Sequence, residues 1–224
     1  MGIALLGHGI TSRSGDSSSD LTLSYTSHSG AYRKMIVVVT TVATTATSKV
    51  GGVKYNNVSL DQIDWFQMDT SMTYKNMHVF YFDEADFPEA GAHNLVADVT
   101  ATVSIIVMSI IELSGAEQGA PSYDTNNPGV SDINEMQMAT TLDNTWLVAD
   151  VWSRSAAAIT PTSGQTIVEE SAGQALSYHN ISPPNATADS NWSYVLAQSN
   201  FQVCIVVPPA IIPSKNSAIL AAAF

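Results

Sequence analysis

The sequence predicts an all-β chain folded as a single antiparallel β-sandwich, and three observations point there. Period-two alternation of apolar and polar residues recurs along the 224 residues, while helical periodicity is hard to find. The run Thr102-Val-Ser-Ile-Ile-Val-Met-Ser-Ile-Ile-Glu-Leu is apolar and β-branched, and Ser and Thr interrupt it too often for a membrane span. It fits a strand pair or one long buried strand, and it stops at Ser114-Gly-Ala-Glu-Gln-Gly-Ala-Pro, a Gly and Pro cluster that ends strands.

The elements follow in order. Met1–Ile10 reads as a first strand; it lacks the basic n-region and apolar stretch of a secretory signal, so no export leader is expected. A Ser-rich loop is expected over 11–20. Leu21, Leu23 and Tyr25 alternate with Thr22, Ser24 and Thr26, which gives a strand with one dry and one wet face. Met35-Ile-Val-Val-Val is a strand buried on both sides. Val53-Lys-Tyr and Val58-Ser-Leu flank Asn56-Asn57, a short hairpin signal because Asn tolerates positive φ. Met77–Phe82 and Asn94–Val103 are strands separated by the acidic turn Asp83–Gly91. Met136–Leu142 and Thr145–Trp152 are expected to pair around Asp143-Asn144. In Trp192–Val207, Phe201, Val203, Ile205 and Val207 share one face, and Pro208-Pro209 ends the element. This makes about eight to ten strands, with long loops near 114–135 and 155–190. No internal repeat or linker is visible, so 1–209 is expected to be one sandwich domain. The apolar tail 210–224 is expected to dock on this chain or a neighbour.

Read together, Leu21-Thr-Leu-Ser-Tyr-Thr, Arg33-Lys-Met-Ile-Val-Val-Val, Val53-Lys-Tyr-Asn-Asn-Val-Ser-Leu, Met77-His-Val-Phe-Tyr-Phe and Glu112-Leu-Ser-Gly-Ala-Glu-Gln-Gly-Ala-Pro resemble a family of jelly-roll β-sandwich domains. That family occurs in phage structural proteins and bacterial extracellular proteins. With the strand containing Trp192, the resemblance spans roughly residues 20–208. The chain departs from the pattern at the hairpin, where Asn56-Asn57 replaces a Gly-containing pair, and at the corner, where Ala116-Glu117 replaces Val-Asp. The resemblance implies a jelly-roll-like sandwich and a surface or adhesive role. It carries over no catalytic residue.

Composition narrows the chemistry. Hydrophobic residues make up 45%, ample for a large core, while charged residues are only 12% and the net charge is −12. No basic residue lies between Lys75 and Arg154, so a nucleic-acid partner is disfavoured, and no apolar segment is long enough for a membrane helix. The single cysteine, Cys204, precludes an internal disulfide and reads as a buried strand residue. Asp83-Glu84-Ala85-Asp86 matches a helicase tetrapeptide, but the chain has no phosphate-binding Gly-rich loop to accompany it. Asp83, Glu84, Asp86 and Glu89 could instead offer oxygen ligands to calcium, the one cofactor the sequence admits. His8, His28, His78, His93 and His179 show no zinc spacing, and no Gly-x-Ser-x-Gly elbow is present. Trp65 and Phe66 are candidates for stacking on sugar rings. Four Asn-x-Ser/Thr sequons are what a Ser- and Thr-rich chain produces by chance.

The expected function is that of a non-enzymatic virion structural protein of a bacteriophage or related virus, assembled in the host cytoplasm and later exposed outside. Capsid decoration or cement, or a tail or spike component, is the leading role. The alternatives are a carbohydrate-binding module recognising a surface glycan and a single-jelly-roll capsid protein. The expected partners are other virion proteins and further copies of the chain, as a trimer or through lattice contacts, with a glycan as a further ligand.

Overall fold

A computed structural model describes residues 2–70, 73–129, 133–153, 159–171, 173–194 and 200–211. The fold is all-β and antiparallel, with one short 3-10 turn at Glu84–Asp86 among the described residues. The first half of the chain forms β1 (Ala4–Ser17), β2 (Leu21–Ser27), β3 (Lys34–Ala43), β4 (Val50–Tyr55), β5 (Val58–Ser59), β6 (Asp61–Thr70), β7 (Thr73–Asp83), β8 (Gly91–Val99) and β9 (Val103–Ser114). The second forms β10 (Ser122–Gly129), β11 (Ile133–Asn134), β12 (Gln137–Met138), β13 (Thr145–Ser153), β14 (Ile159–Pro161), β15 (Thr166–Ser171), β16 (Gln174–Ile181), β17 (Ala188–Asp189), β18 (Trp192–Tyr194) and β19 (Asn200–Val207).

The sandwich is deeper than a pair of sheets. In the first half, a sheet ordered β1-β9-β3-β7-β6 faces a sheet ordered β2-β8-β4-β5. Disregarding β6, that is the strand order of an eight-stranded jelly roll. The second half repeats it: β10-β19-β13-β16-β15 corresponds strand for strand to the first large sheet, and β11-β18-β14 takes the place of the outer one, with β12-β17 beside it. The two large sheets pack face to face, which makes four layers and three cores.

Alternation on β3 shows why. Met35, Val37 and Val39 enter the first core while Ile36, Val38 and Val42 enter the seam between the halves, so all ten residues are buried. β9 divides likewise, with Ile106, Met108 and Ile110 on one side and Ile111 and Leu113 on the other. A strand dry on both faces reads as a continuous apolar run, hence the character of 102–113. From the second half the seam receives Trp146, Val148, Trp152, Leu176, Phe201 and Ile205. Each large side chain buried there contributes roughly 1.5–3 kcal/mol.

Across the seam β1 lies against β15, with His8 Nδ1 2.8 Å from Glu169 Oε1, while at the other flank Tyr123 of β10 donates to Asp64 of β6. Under the strand correspondence, the first contact maps onto the second. The contacts across the seam thus follow the same correspondence as the strand orders.

Several sequence expectations change. Residues 11–17 are not loop: Thr11 to Ser14 pair with Met108 to Ile105 as the continuation of β1. Ser and Gly mask that alternation, and pairing along a strongly β-forming partner overrides it. The expected loops at 114–135 and 155–190 contain β10 and β11 and β14–β17. Met136–Leu142 does not pair with Thr145–Trp152; β12 pairs with β17, and β13 lies between β16 and β19. The Asn56-Asn57 hairpin is present, both residues having positive φ, at 49° and 65°. Ala210 is buried and donates to Gly115 O at 2.8 Å. Residues 212–224 of the apolar tail lie outside the described residues.

Candidate functional site

The corner between the halves, residues 115–121, is held by two ion pairs. Arg33 donates from its backbone N to Glu84 Oε2 at 2.7 Å and from Nε to Oε1 at 3.0 Å, and its guanidinium lies 4.3 Å from the Phe87 ring centroid. The buried Lys34 Nζ donates to Asp83 Oδ1 at 2.5 Å and to Gly119 O at 2.7 Å, and Gly119 N returns a bond to Asp83 Oδ2. Burial lowers the Lys34 pKa, and Asp83 opposes that shift. Gln118 completes the clamp: Glu84 N donates to its Oε1 at 2.8 Å, while its Nε2 donates to Ala116 O at 3.0 Å and Arg33 O at 3.2 Å. Gly119, at φ 100°, has the left-handed backbone that lets the loop close over Lys34. A hollow of about 280 Å³ lies beside Lys34, Glu117 and Pro208, and another of about 670 Å³ beside Gly30, Tyr32 and Asp86.

This clamp engages the calcium candidates. Asp83 and Glu84 are committed to Lys34 and Arg33, while Asp86 and Glu89 are exposed. Among the described residues no group of three or more His, Cys, Asp or Glu side chains could hold a metal ion.

Sequence reasoning missed a second cluster. Glu112, fully buried on β9, accepts from Tyr25 Oη at 2.9 Å, from His28 N at 3.1 Å and from His28 Nδ1 at 3.0 Å. Burial and the neighbouring carboxylate push the Tyr25 pKa up. Gly7 has no Cβ because Tyr25 Oη and His28 Cε1 fill that position. A carboxylate orienting a histidine is also half of a nucleophile-activating relay. The cluster joins β2 and β9, with Gly7 of β1 packed against it. The only sequence signal was a lone Glu inside an apolar strand.

A third cluster lies in the seam. Asp150 on β13 is fully buried; Ser109 of β9 and Gln174 of β16 donate to its Oδ2, the latter at 3.0 Å, and Oδ1 has no partner among the described residues. Burial pushes its pKa up to about 8, against the lowering effect of the two donors, so the acid is protonated at neutral pH. Cys204 is also fully buried, on β19, and burial pushes its thiol up to about 12.

The two aromatic candidates separate. On neighbouring positions of β6 they face opposite ways: Phe66 meets Phe201 edge-to-face at 6.1 Å in the seam, whereas Trp65 stacks on His78 at 5.7 Å and 13° on the other side. Trp65 is 40% exposed. The other histidines stay scattered, with His93 Nε2 donating to Glu89 O at 3.1 Å.

No protein-family model matches the chain, and no curated protein does. Among solved structures, a chain in the atomic structure of Sulfolobus Turreted Icosahedral Virus is similar over 96% of each chain at 8% identity, with a TM-score of 0.28. That score is below the level expected of two chains sharing one fold. No helix among the described residues is long and apolar enough to cross a membrane.

Proposed function

We propose that this chain is a non-enzymatic structural component of a virion that decorates or cements a capsid or forms part of a tail or spike. The observation that carries this reading is the face-to-face fusion of two sandwiches of like connectivity, locked at the corner by Arg33–Glu84 and Lys34–Asp83. Four layers packed through three cores suit a role whose task is to hold shape.

The surface supports the same reading. Arg33, Lys34, Lys49 and Lys75 are buried, Arg13 is half-buried, and Lys54 is the one exposed basic residue among those described. The exterior is therefore acidic and rich in Ser, Thr and Asn, composed for solvent rather than for phosphate backbones. Copies repel at low ionic strength, and self-association strengthens as salt screens the carboxylates.

Size-exclusion chromatography with light scattering, run across salt concentrations and with and without EDTA, tests this. A trimer or larger assembly that grows with salt and ignores EDTA is expected. A compact monomer under every condition overturns the reading.

A further inference from the structure

Trp65 is exposed for an architectural reason. The large sheet of the first half has five strands and the outer sheet only four, so β6 projects past the cover that β5 provides. The Trp65 ring is fixed there by a continuous stack, 5.7 Å to His78 and a further 6.3 Å from His78 to Phe80, nearly parallel at both steps. One face of the indole rests on His78, and the residue remains partly open to solvent. Burial lowers the His78 pKa to about 4, so the stack carries no charge at neutral pH.

One rung along the same strands lies a pocket of about 170 Å³. Phe80 and Leu60 line it with apolar surface, and Lys54, Ser59, Gln62 and Asp98 supply its polar groups. Gln62 and Trp65 lie on the same face of β6, opposite Phe80 and His78 of β7 respectively. Successive same-face rungs are about 7 Å apart, the scale of one sugar ring to the next. A flat aromatic platform beside donors and acceptors of both kinds matches a pyranose, which has an apolar C–H face and a rim of hydroxyls. The volume is well below the roughly 300 Å³ at which drug-sized pockets begin, so it accommodates a single ring or a chain end.

We propose that Trp65, with the Lys54, Ser59, Gln62 and Asp98 pocket beside it, binds a neutral hexopyranose, one ring stacked on the indole and the hydroxyls of that ring or its neighbour held in the pocket. The net charge of −12 selects against anionic sugars. The inference is independent of the virion role.

The test is saturation-transfer NMR and tryptophan fluorescence on the full chain. The probes are glucose, galactose, mannose, N-acetylglucosamine and their disaccharides, with sialyllactose as the anionic comparison. At least one neutral sugar binds, and Trp65→Ala weakens it roughly tenfold or more with the melting temperature unchanged. Trp65→Phe keeps part of the affinity, which serves as the reading if the alanine variant folds poorly. Gln62→Ala weakens binding less. No binding by any neutral sugar, binding that survives Trp65→Ala, or tighter binding of sialyllactose each overturns the proposal. Loss of self-association in Trp65→Ala without sugar binding overturns it too, and assigns the ledge to a protein contact.

Discussion

The two halves of the chain share one connectivity and close their cores differently. The first is covered by a continuous four-stranded sheet, and its core is aliphatic and aromatic, with Val37, Phe82, Leu95 and Met108 among its members and Tyr25 and Tyr55 the only ones that carry a polar tip. The second is covered by a three-stranded and a two-stranded fragment. Side-chain hydrogen bonds work in its interior: Gln202 Nε2 donates to Ser190 O at 2.8 Å and Oγ at 2.7 Å, and Gln165 Nε2 donates to Ser190 Oγ at 3.1 Å. Every Lys and Arg among the described residues belongs to the first half. Strand order thus tolerates two ways of filling a sandwich. Where outer strands are too short to form a ladder, buried amides and hydroxyls satisfy the backbone in their place.

Substitutions distinguish the two halves, starting with the part they share. Trp152→Ala opens the seam against Phe201 and Lys75 and costs about 3–5 kcal/mol. Calorimetry should then show two unfolding transitions where the parent shows one, if the seam is what joins the halves. Leu95→Ala in the dry core costs about 2–5 kcal/mol in denaturant unfolding. Gln202→Ala in the wet core costs about 1–3 kcal/mol by leaving Ser190 O without the Gln202 donor. Equal costs for the last two would erase the contrast between the cores.

The seam also sets a pH dependence. Asp150 holds a proton in the folded state up to pH about 8, whereas the unfolded chain releases it near 3.8. The Asp150 contribution to stability therefore falls as pH rises from about 4 to about 8; the buried His78, whose pKa is lowered from 6.5 to about 4, gives an opposing slope up to about 6.5, so the net fall is expected from about 6.5 to 8, with a limiting slope of ~1.4 kcal/mol per unit, and levels off above. Asp150→Asn removes that slope; a variant with the parent's profile refutes the assignment. The smallest effect belongs to His8→Ala, which breaks a partly exposed pair with Glu169 and costs at most about 1 kcal/mol by thermal melting.

Much of the architecture is legible in the residues, and the gaps have physical causes. Met35–Val39 and Val103–Leu113 announce strands buried on both faces, and Asn56-Asn57 announces its hairpin, because burial and positive φ act on single residues. The duplication is invisible because it lies in the order of strands, while the two cores use different side chains. β14, β17 and β18 are two or three residues long, too short for any periodicity. At the candidate sites the corner cluster announces itself through Gly115, Gly119 and Pro121. That Asp83 and Glu84 serve as counter-ions for Lys34 and Arg33 depends on a contact across some fifty positions of chain, which spacing cannot reveal. Trp65 and Phe66 look alike as neighbours in sequence, and only the pleat separates one into the seam and the other to the ledge.

The pairing of β1 with β9 and of β10 with β19 also imposes a timetable on synthesis. A ribosome adding about 5–20 residues per second delivers β9 roughly 5–20 s after β1, so the first sandwich cannot close before then. Even closed, it still presents Ile36, Val38, Val79 and Ile111 as a bare sheet face, and their cover is not complete until β19 emerges a comparable interval later. The second sandwich is in this sense the first one's delayed lid, and a chain truncated after residue 114 exposes an apolar sheet prone to aggregation.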